Sequence, residues 1–135
     1  MPENSYNTTY VVYAAPELVF EAFTDPGLIG AWGGGMSVVE PVEGGRFEWF
    51  DGSIIGNIIS IEPGRQLSFT WKPEEWGKRT PPSKVQILLK PHPAGTSVEL
   101  LHSELPAGED ADKHRNGWID FVFDPLNDYF TGLME

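Results

Sequence analysis

Asp110-Ala111-Asp112-Lys113-His114-Arg115-Asn116-Gly117-Trp118-Ile119-Asp120-Phe121-Val122-Phe123-Asp124-Pro125-Leu126-Asn127-Asp128-Tyr129-Phe130-Thr131-Gly132-Leu133 is the stretch that decides the fold. Trp118, Phe121, Val122, Leu126, Tyr129, Phe130 and Leu133 recur at helical spacing and give one broad apolar face. Glu109, Asp110 and Asp112 suit the positive end of such a helix, which at ~1.5 Å per residue spans roughly 35 Å. Pro125 sits inside it. Proline has no N–H to give to the carbonyl of Phe121, so the spacing predicts a kink there.

Upstream of this helix the hydrophobic period is two. Arg46-Phe47-Glu48-Trp49 alternates polar with aromatic, and Leu67, Phe69 and Trp71 alternate with Gln66, Ser68 and Thr70. Val85, Ile87 and Leu89 repeat the pattern, as do Val98, Leu100 and His102. Each set reads as a strand with one buried face. Ser37–Glu40 adds a short strand, and Ile54–Ile61 adds one that is apolar on both faces. Turns fall at Glu43-Gly44-Gly45, at Asp51-Gly52 as a two-residue hairpin, at Glu62-Pro63-Gly64-Arg65 and from Pro91 to Gly95. Pro73 to Pro82 reads as a polar loop carrying the isolated Trp76. These are six consecutive antiparallel strands.

Nearer the N-terminus, Tyr6 to Tyr13 is rich in β-branched and aromatic residues and reads as a further strand. Pro16 suits the first position of a helix whose apolar face is Val19, Phe20 and Phe23. Asp25 caps a second short helix running to Trp32. Gly33-Gly34-Gly35 then breaks helical structure and reads as a flexible connector. No repeat or linker divides the chain, so residues 1–135 are expected to form one domain. The expected fold class is α+β: a curved seven-stranded antiparallel sheet, two short N-terminal helices and one long C-terminal helix that the sheet grips. A helix and a curved sheet mate imperfectly, so an apolar cavity is expected between them.

Composition narrows the function classes. Nine basic residues stand against twenty acidic ones, a net charge of −11, and Arg46 is the only basic residue in the first 60 positions. A nucleic-acid groove needs clustered Lys and Arg, so nucleic acid is excluded as a partner, and anionic membrane surfaces are disfavoured. The chain has no cysteine, which removes disulfides, thiolate metal sites and thiol nucleophiles. No apolar run approaches the ~18 residues of a membrane span, and Met1–Ser5 lacks the features of a signal peptide. A cytoplasmic monomer or homodimer is expected.

The run Val11 to Pro26 followed by Trp32, then Gly44-Gly45-Arg46-Phe47, Asp51-Gly52, Gly56 to Pro63, Leu67-Ser68-Phe69-Thr70-Trp71, Gly95 to Ser103 and Gly117-Trp118, resembles the heat-shock-protein-90 ATPase activator homologue family. That family belongs to the SRPBCC, or START-like, superfamily. The resemblance covers about residues 8 to 133. It implies the helix-grip fold shared with START lipid-transfer and birch-pollen-allergen-like domains, and a cavity for hydrophobic small molecules. It also implies a link to stress response. The chain departs from the family at Pro125, where leucine is usual.

The residues expected to border the cavity are Trp32, Phe47, Trp49, Phe69, Trp71, Val85, Ile87, Leu100, His102, Trp118, Phe121 and Val122. His102 is the polar member, placed inward by strand phase and able to hydrogen-bond or transfer a proton. A buried histidine satisfied by its neighbours is the plainer reading of the same phase. His92 and His114 have no metal-like spacing to it, and no metal site is expected. Glu48 and Asp51 lie on a polar phase and in a turn, and Arg46 with Glu48 reads as solvated surface. No catalytic residue, nucleotide motif or cofactor is expected. Binding of a small hydrophobic molecule in the cavity is the expected function. A co-chaperone-like protein-interaction domain and a cyclase- or dehydratase-like enzyme using the same cavity are the alternatives.

Overall fold

A computed structural model describes residues 5–106, 108–109 and 111–133. The expectations placed on Met1–Asn4, on Asp110 and on the side chain of Leu133 lie outside the described residues.

Strand β1 (Tyr6–Val12) leads into helices α1 (Pro16–Thr24) and α2 (Pro26–Gly33). Strands β2 (Val38–Val39), β3 (Arg46–Trp49), β4 (Ile54–Glu62), β5 (Gln66–Pro73), β6 (Ser83–His92) and β7 (Gly95–Ser103) follow. Asp25 Oδ1 accepts from the amides of Gly27 and Leu28, and Pro16 and Pro26 open their helices, as the local sequence predicts. One seven-stranded antiparallel sheet results, in the order β1-β7-β6-β5-β4-β3-β2. Val85, Ile87, Leu89, Val98, Leu100 and His102 all face the buried side, as the alternation requires.

The C-terminal helix departs from the sequence reading. It comprises α3 (Ala111–Trp118), one wide π turn (Ile119–Phe123) and α4 (Asp124–Leu133). In the π turn the Asp124 amide reaches back five residues to the Ile119 carbonyl. The irregularity expected near Phe121 takes the form of an inserted residue, a wide turn of the kind that accompanies bends in helices. Trp118, Val122, Leu126 and Phe130 stay on the buried face, and the insertion changes its membership at one point. Phe121, expected inward, is 69% exposed, and Phe123 takes the inward place with no exposure.

Two other expectations change. The β3–β4 connection is four residues long, because Trp49 pairs with Ile54. Phe50, Asp51 and Gly52 are all left-handed, with φ of 55°, 61° and 83°. Left-handed backbone at a non-glycine residue costs about 1–2 kcal/mol, so tertiary contacts must hold this turn. Met36, directly after the Gly33–Gly35 connector, supplies them and ties that connector down. Asp51 Oδ1 accepts from the Met36 amide at 2.7 Å, while the Asp51 amide donates to the Met36 carbonyl at 2.8 Å. Gly33 leaves room for the Phe50 ring, since a Cβ there would lie 2.9 Å from it.

Asn127 fixes α4 to the sheet edge. Its Oδ1 accepts from the Tyr13 amide and its Nδ2 donates to the Val11 carbonyl, each at 2.9 Å. These are backbone groups that an edge strand leaves unpaired. Tyr10 stacks on Phe123 with centroids 4.8 Å apart and donates its hydroxyl proton to Asp124. That bond, more than burial, pushes the Tyr10 phenol up to about 12.

Candidate functional site

The aromatic residues of β3 and β5 meet at the centre of the molecule. Phe47 and Phe69 stack at 4.1 Å, and Trp49 lies 4.8 Å from Phe47 and 6.1 Å from Phe23. Phe47, Trp49 and Phe69 are wholly buried, each burial contributing roughly 2–3 kcal/mol. Trp71 continues the cluster and meets Trp118 of the C-terminal helix at 4.9 Å. The interior between sheet and helix is therefore packed with rings.

A solvent-open pocket of about 830 Å³ lies at one end of this packing. Its walls come from Gly33 at the end of α2, from Phe50, Ser53 and Ile54 around the strained turn, from Trp71 and Pro73 of β5, and from Glu75 just beyond it. The opposite wall is Glu109, Asp112 to His114, Asn116 to Trp118 and Asp120 to Val122. Of the twelve residues expected to border a cavity, Trp71, Trp118, Phe121 and Val122 line this pocket. Trp32, Phe47, Trp49, Phe69, Val85, Ile87, Leu100 and His102 lie behind the wall in the packed core. Sequence reading missed Phe50, because hairpin chemistry gives no sign that a turn aromatic folds back. It also missed the helix residues on the polar side of Trp118, which amphipathic spacing assigns to solvent.

His102 has no exposure, and burial, reinforced by the nearby His114, pushes its imidazole down to about 3. Both ring nitrogens are engaged. Ser83 Oγ lies 2.7 Å from Nε2 and 3.1 Å from the Trp71 carbonyl, while Tyr6 Oη and Trp118 Nε1 lie 3.0 and 3.3 Å from Nδ1. The indole can only donate, so Nδ1 accepts. The one hydroxyl proton of Ser83 goes to the Trp71 carbonyl, so Nε2 carries the hydrogen and donates to Ser83. The ring is neutral, its tautomer is set, and neither nitrogen is offered to the pocket. Burial likewise pushes the Tyr6 phenol up, with Arg115 over its ring opposing the effect. Strand phase carried a signal for Ser83, two residues before Val85, that a search limited to apolar residues passes over.

His114 does face the pocket. Its Nε2 lies 2.7 Å from Glu109 Oε1, and its ring is 5.7 Å from that of His102. Trp76, in a single 3-10 turn at Glu74–Trp76, meets His114 edge-on at 6.0 Å. Two polar atoms near the aromatic cluster, Trp49 Nε1 and Trp71 Nε1, have no hydrogen-bond partner among the described residues. Arg46 and Glu48 form a surface ion pair, as their strand phase implies. Among the described residues no group of three His, Asp or Glu side chains is arranged to hold a metal ion. No helix among them is long and apolar enough to cross a membrane.

A sheet curved around one long C-terminal helix, with two short helices closing one end, defines a helix-grip protein. The chain belongs to the family described as Activator of Hsp90 ATPase homolog 1-like protein, whose model matches residues 13–131. It is 27% identical over 121 residues to a curated relative from Dictyostelium discoideum named activator of 90 kDa heat shock protein ATPase homolog. That match covers 87% of this chain and 30% of the relative. The chain thus spans about a third or less of the length of such relatives. Among solved structures, it is similar to PFC0360w, an HSP90 activator from Plasmodium falciparum, with 26% identity and a TM-score of 0.83. The likeness covers 94% of this chain and 96% of that one. CalU16 from Micromonospora echinospora is 28% identical with a TM-score of 0.73, over 96% and 76% of the two chains.

Proposed function

We propose that the protein binds a small hydrophobic molecule in the pocket between the C-terminal helix and the β3–β4 turn. One observation carries this reading: Phe121, 69% exposed, stands at the rim of an 830 Å³ pocket whose floor includes Trp71 and Trp118. Pockets of roughly 300–1,000 Å³ with aromatic walls are the size and character that drug-sized ligands occupy. A large exposed aromatic ring at such a rim is surface that a ligand can remove from water. In this reading the protein acts as a cytoplasmic carrier or sensor, a monomer or homodimer, with no nucleic acid as partner. Binding requires no proton transfer, in keeping with the fully engaged ring of His102.

Titration with Nile red, a neutral fluorescent hydrophobe, tests it. Saturable fluorescence enhancement is expected, and Phe121→Asp should abolish it while the circular dichroism spectrum stays unchanged, because that side chain is already outside the core. Enhancement that never saturates, or that survives Phe121→Asp at full affinity, overturns the reading.

The names of the relatives favour a second reading, a protein-interaction domain that engages a chaperone of the heat-shock-protein-90 class. PFC0360w, over nearly its whole solved length, has the same fold as this chain. Purified chaperone mixed with this protein should then show association by calorimetry and a raised ATPase rate. Absence of both at low salt removes this reading.

A further inference from the structure

We infer that the pocket selects cationic amphiphiles, an aromatic or alkyl amine in preference to a carboxylate, sulfate or phosphate; this rests on the binding reading above. The floor is aromatic and the rim is acidic. Glu75 on the 3-10 turn and Asp120 on the π turn stand on opposite walls, and neither has an ion-pair partner among the described residues. Glu109 and Asp112 add two more carboxylates to the same wall as Asp120.

Asp112 is balanced by Arg115 and Glu109 is bonded to His114, so the negative excess at the rim rests on Glu75 and Asp120, with Lys113 the one ammonium in the lining among the described residues. Arg115 is also drawn to the face of Tyr6. An anionic head entering the pocket therefore meets an unbalanced negative rim, in the field of a chain whose net charge is −11. A cationic head meets carboxylates from two directions. It also comes close to Trp71, Trp118, Phe50 and Phe121, whose π faces attract cations by about 0.5–2 kcal/mol. The charge pattern and the rings favour the same sign of ligand.

The geometry also explains the arrangement of the wall. In the π turn, Asp120 and Phe121 both point away from the core while Val122 and Phe123 point into it. A carboxylate and an aromatic ring are thereby presented side by side at the mouth, which suits a head and tail of opposite character.

The test is a calorimetric titration of the whole chain with three probes sharing one ring system: naphthylethylamine, naphthylethanol and naphthylacetate. At low ionic strength the amine should bind about tenfold more tightly than the acid, with the alcohol between them, and about 0.5 M salt should shrink the gap. The double substitution Glu75→Gln with Asp120→Asn should lower amine affinity several-fold and leave the alcohol unchanged. Both residues are exposed, so folding is not at stake. If the acid binds as well as the amine, or if the double variant leaves the amine's advantage intact, cation selection is overturned while hydrophobic binding stands. If none of the three saturates, the binding reading falls, and this inference with it.

Discussion

His102 makes the protein acid-sensitive in a way that can be worked out from its surroundings. The imidazole is buried and neutral, with Trp118 and Tyr6 at Nδ1, so a second proton has nowhere to go without breaking those contacts. Its folded value lies near 3, against 6.5 for the free side chain. A depressed histidine value means that the unfolded chain takes up the proton first. The folded state is therefore unpenalised above pH 6.5 and loses stability as pH falls from 6.5 toward 3. At about pH 5 the linkage relation gives a loss of about 2 kcal/mol from this one group, a large fraction of a typical domain's stability. Urea unfolding followed by tryptophan fluorescence, at neutral pH and at about pH 5, measures it. His102→Gln keeps one donor and one acceptor, and should lose about 2 kcal/mol less between the two conditions than the parent chain, since carboxylate contributions are common to both. A direct check needs no substitution: the ring-proton resonances of His102 should stay at their neutral positions down to about pH 4.5. Resonances that titrate near the free-histidine value, or an equal acid loss in both proteins, would refute the reasoning.

Three further outcomes follow from buried contacts. Ser83→Ala leaves the His102 Nε2–H without its 2.7 Å acceptor and should lower stability by about 1–3 kcal/mol in urea melts, while Ser83→Thr, which keeps the hydroxyl, should lose less. Asn127→Leu keeps the apolar contacts of α4 but unpairs the Tyr13 amide and the Val11 carbonyl; amide exchange at Tyr13 should speed up, with a loss of about 2 kcal/mol. Gly56→Ala places a Cβ 1.9 Å from the Thr70 carbonyl oxygen, so β4 and β5 must separate. Its thermal midpoint should fall by about ten degrees, for a loss of about 3 kcal/mol.

Much of this architecture is legible in the sequence, for a physical reason. A strand that buries one face must alternate, so Leu67, Phe69 and Trp71, or Val98, Leu100 and His102, reveal their inward side without reference to any other part of the chain. The Asp25 cap is equally local. The π turn is different. Pro125 announces a fault in the helix, but the form it takes goes with the partners that Asp124 and Asn127 find at Tyr10, Val11 and Tyr13, far away in sequence. For the same reason Phe121 and Phe123 exchange the places that helical spacing assigns them. The pocket is harder still to foresee. It is the volume left over once Phe47, Trp49 and Phe69 have packed, and leftover volume has no sequence pattern. Phe50 reaches it through a left-handed turn that Met36 holds in place and for which Gly33 leaves room. No pairwise rule of turn chemistry predicts such an arrangement.

The wide turn at Ile119–Phe123 separates two jobs along one helix. Downstream of it, Leu126, Asn127 and Phe130 are committed to the sheet and the core and have little freedom to vary. Upstream, Asp112, Lys113, Asn116 and Gly117 face the pocket. A continuous α-helix would transmit any rotation of one half to the other as a rigid shaft does. The inserted residue resets the phase between the halves, so Trp118 and the downstream half both keep their grip on the core while the exposed pocket-facing positions can be re-sequenced. New ligand preferences can then arise by substitution at those exposed positions, with the stability of the fold left to the buried ones on either side of the turn.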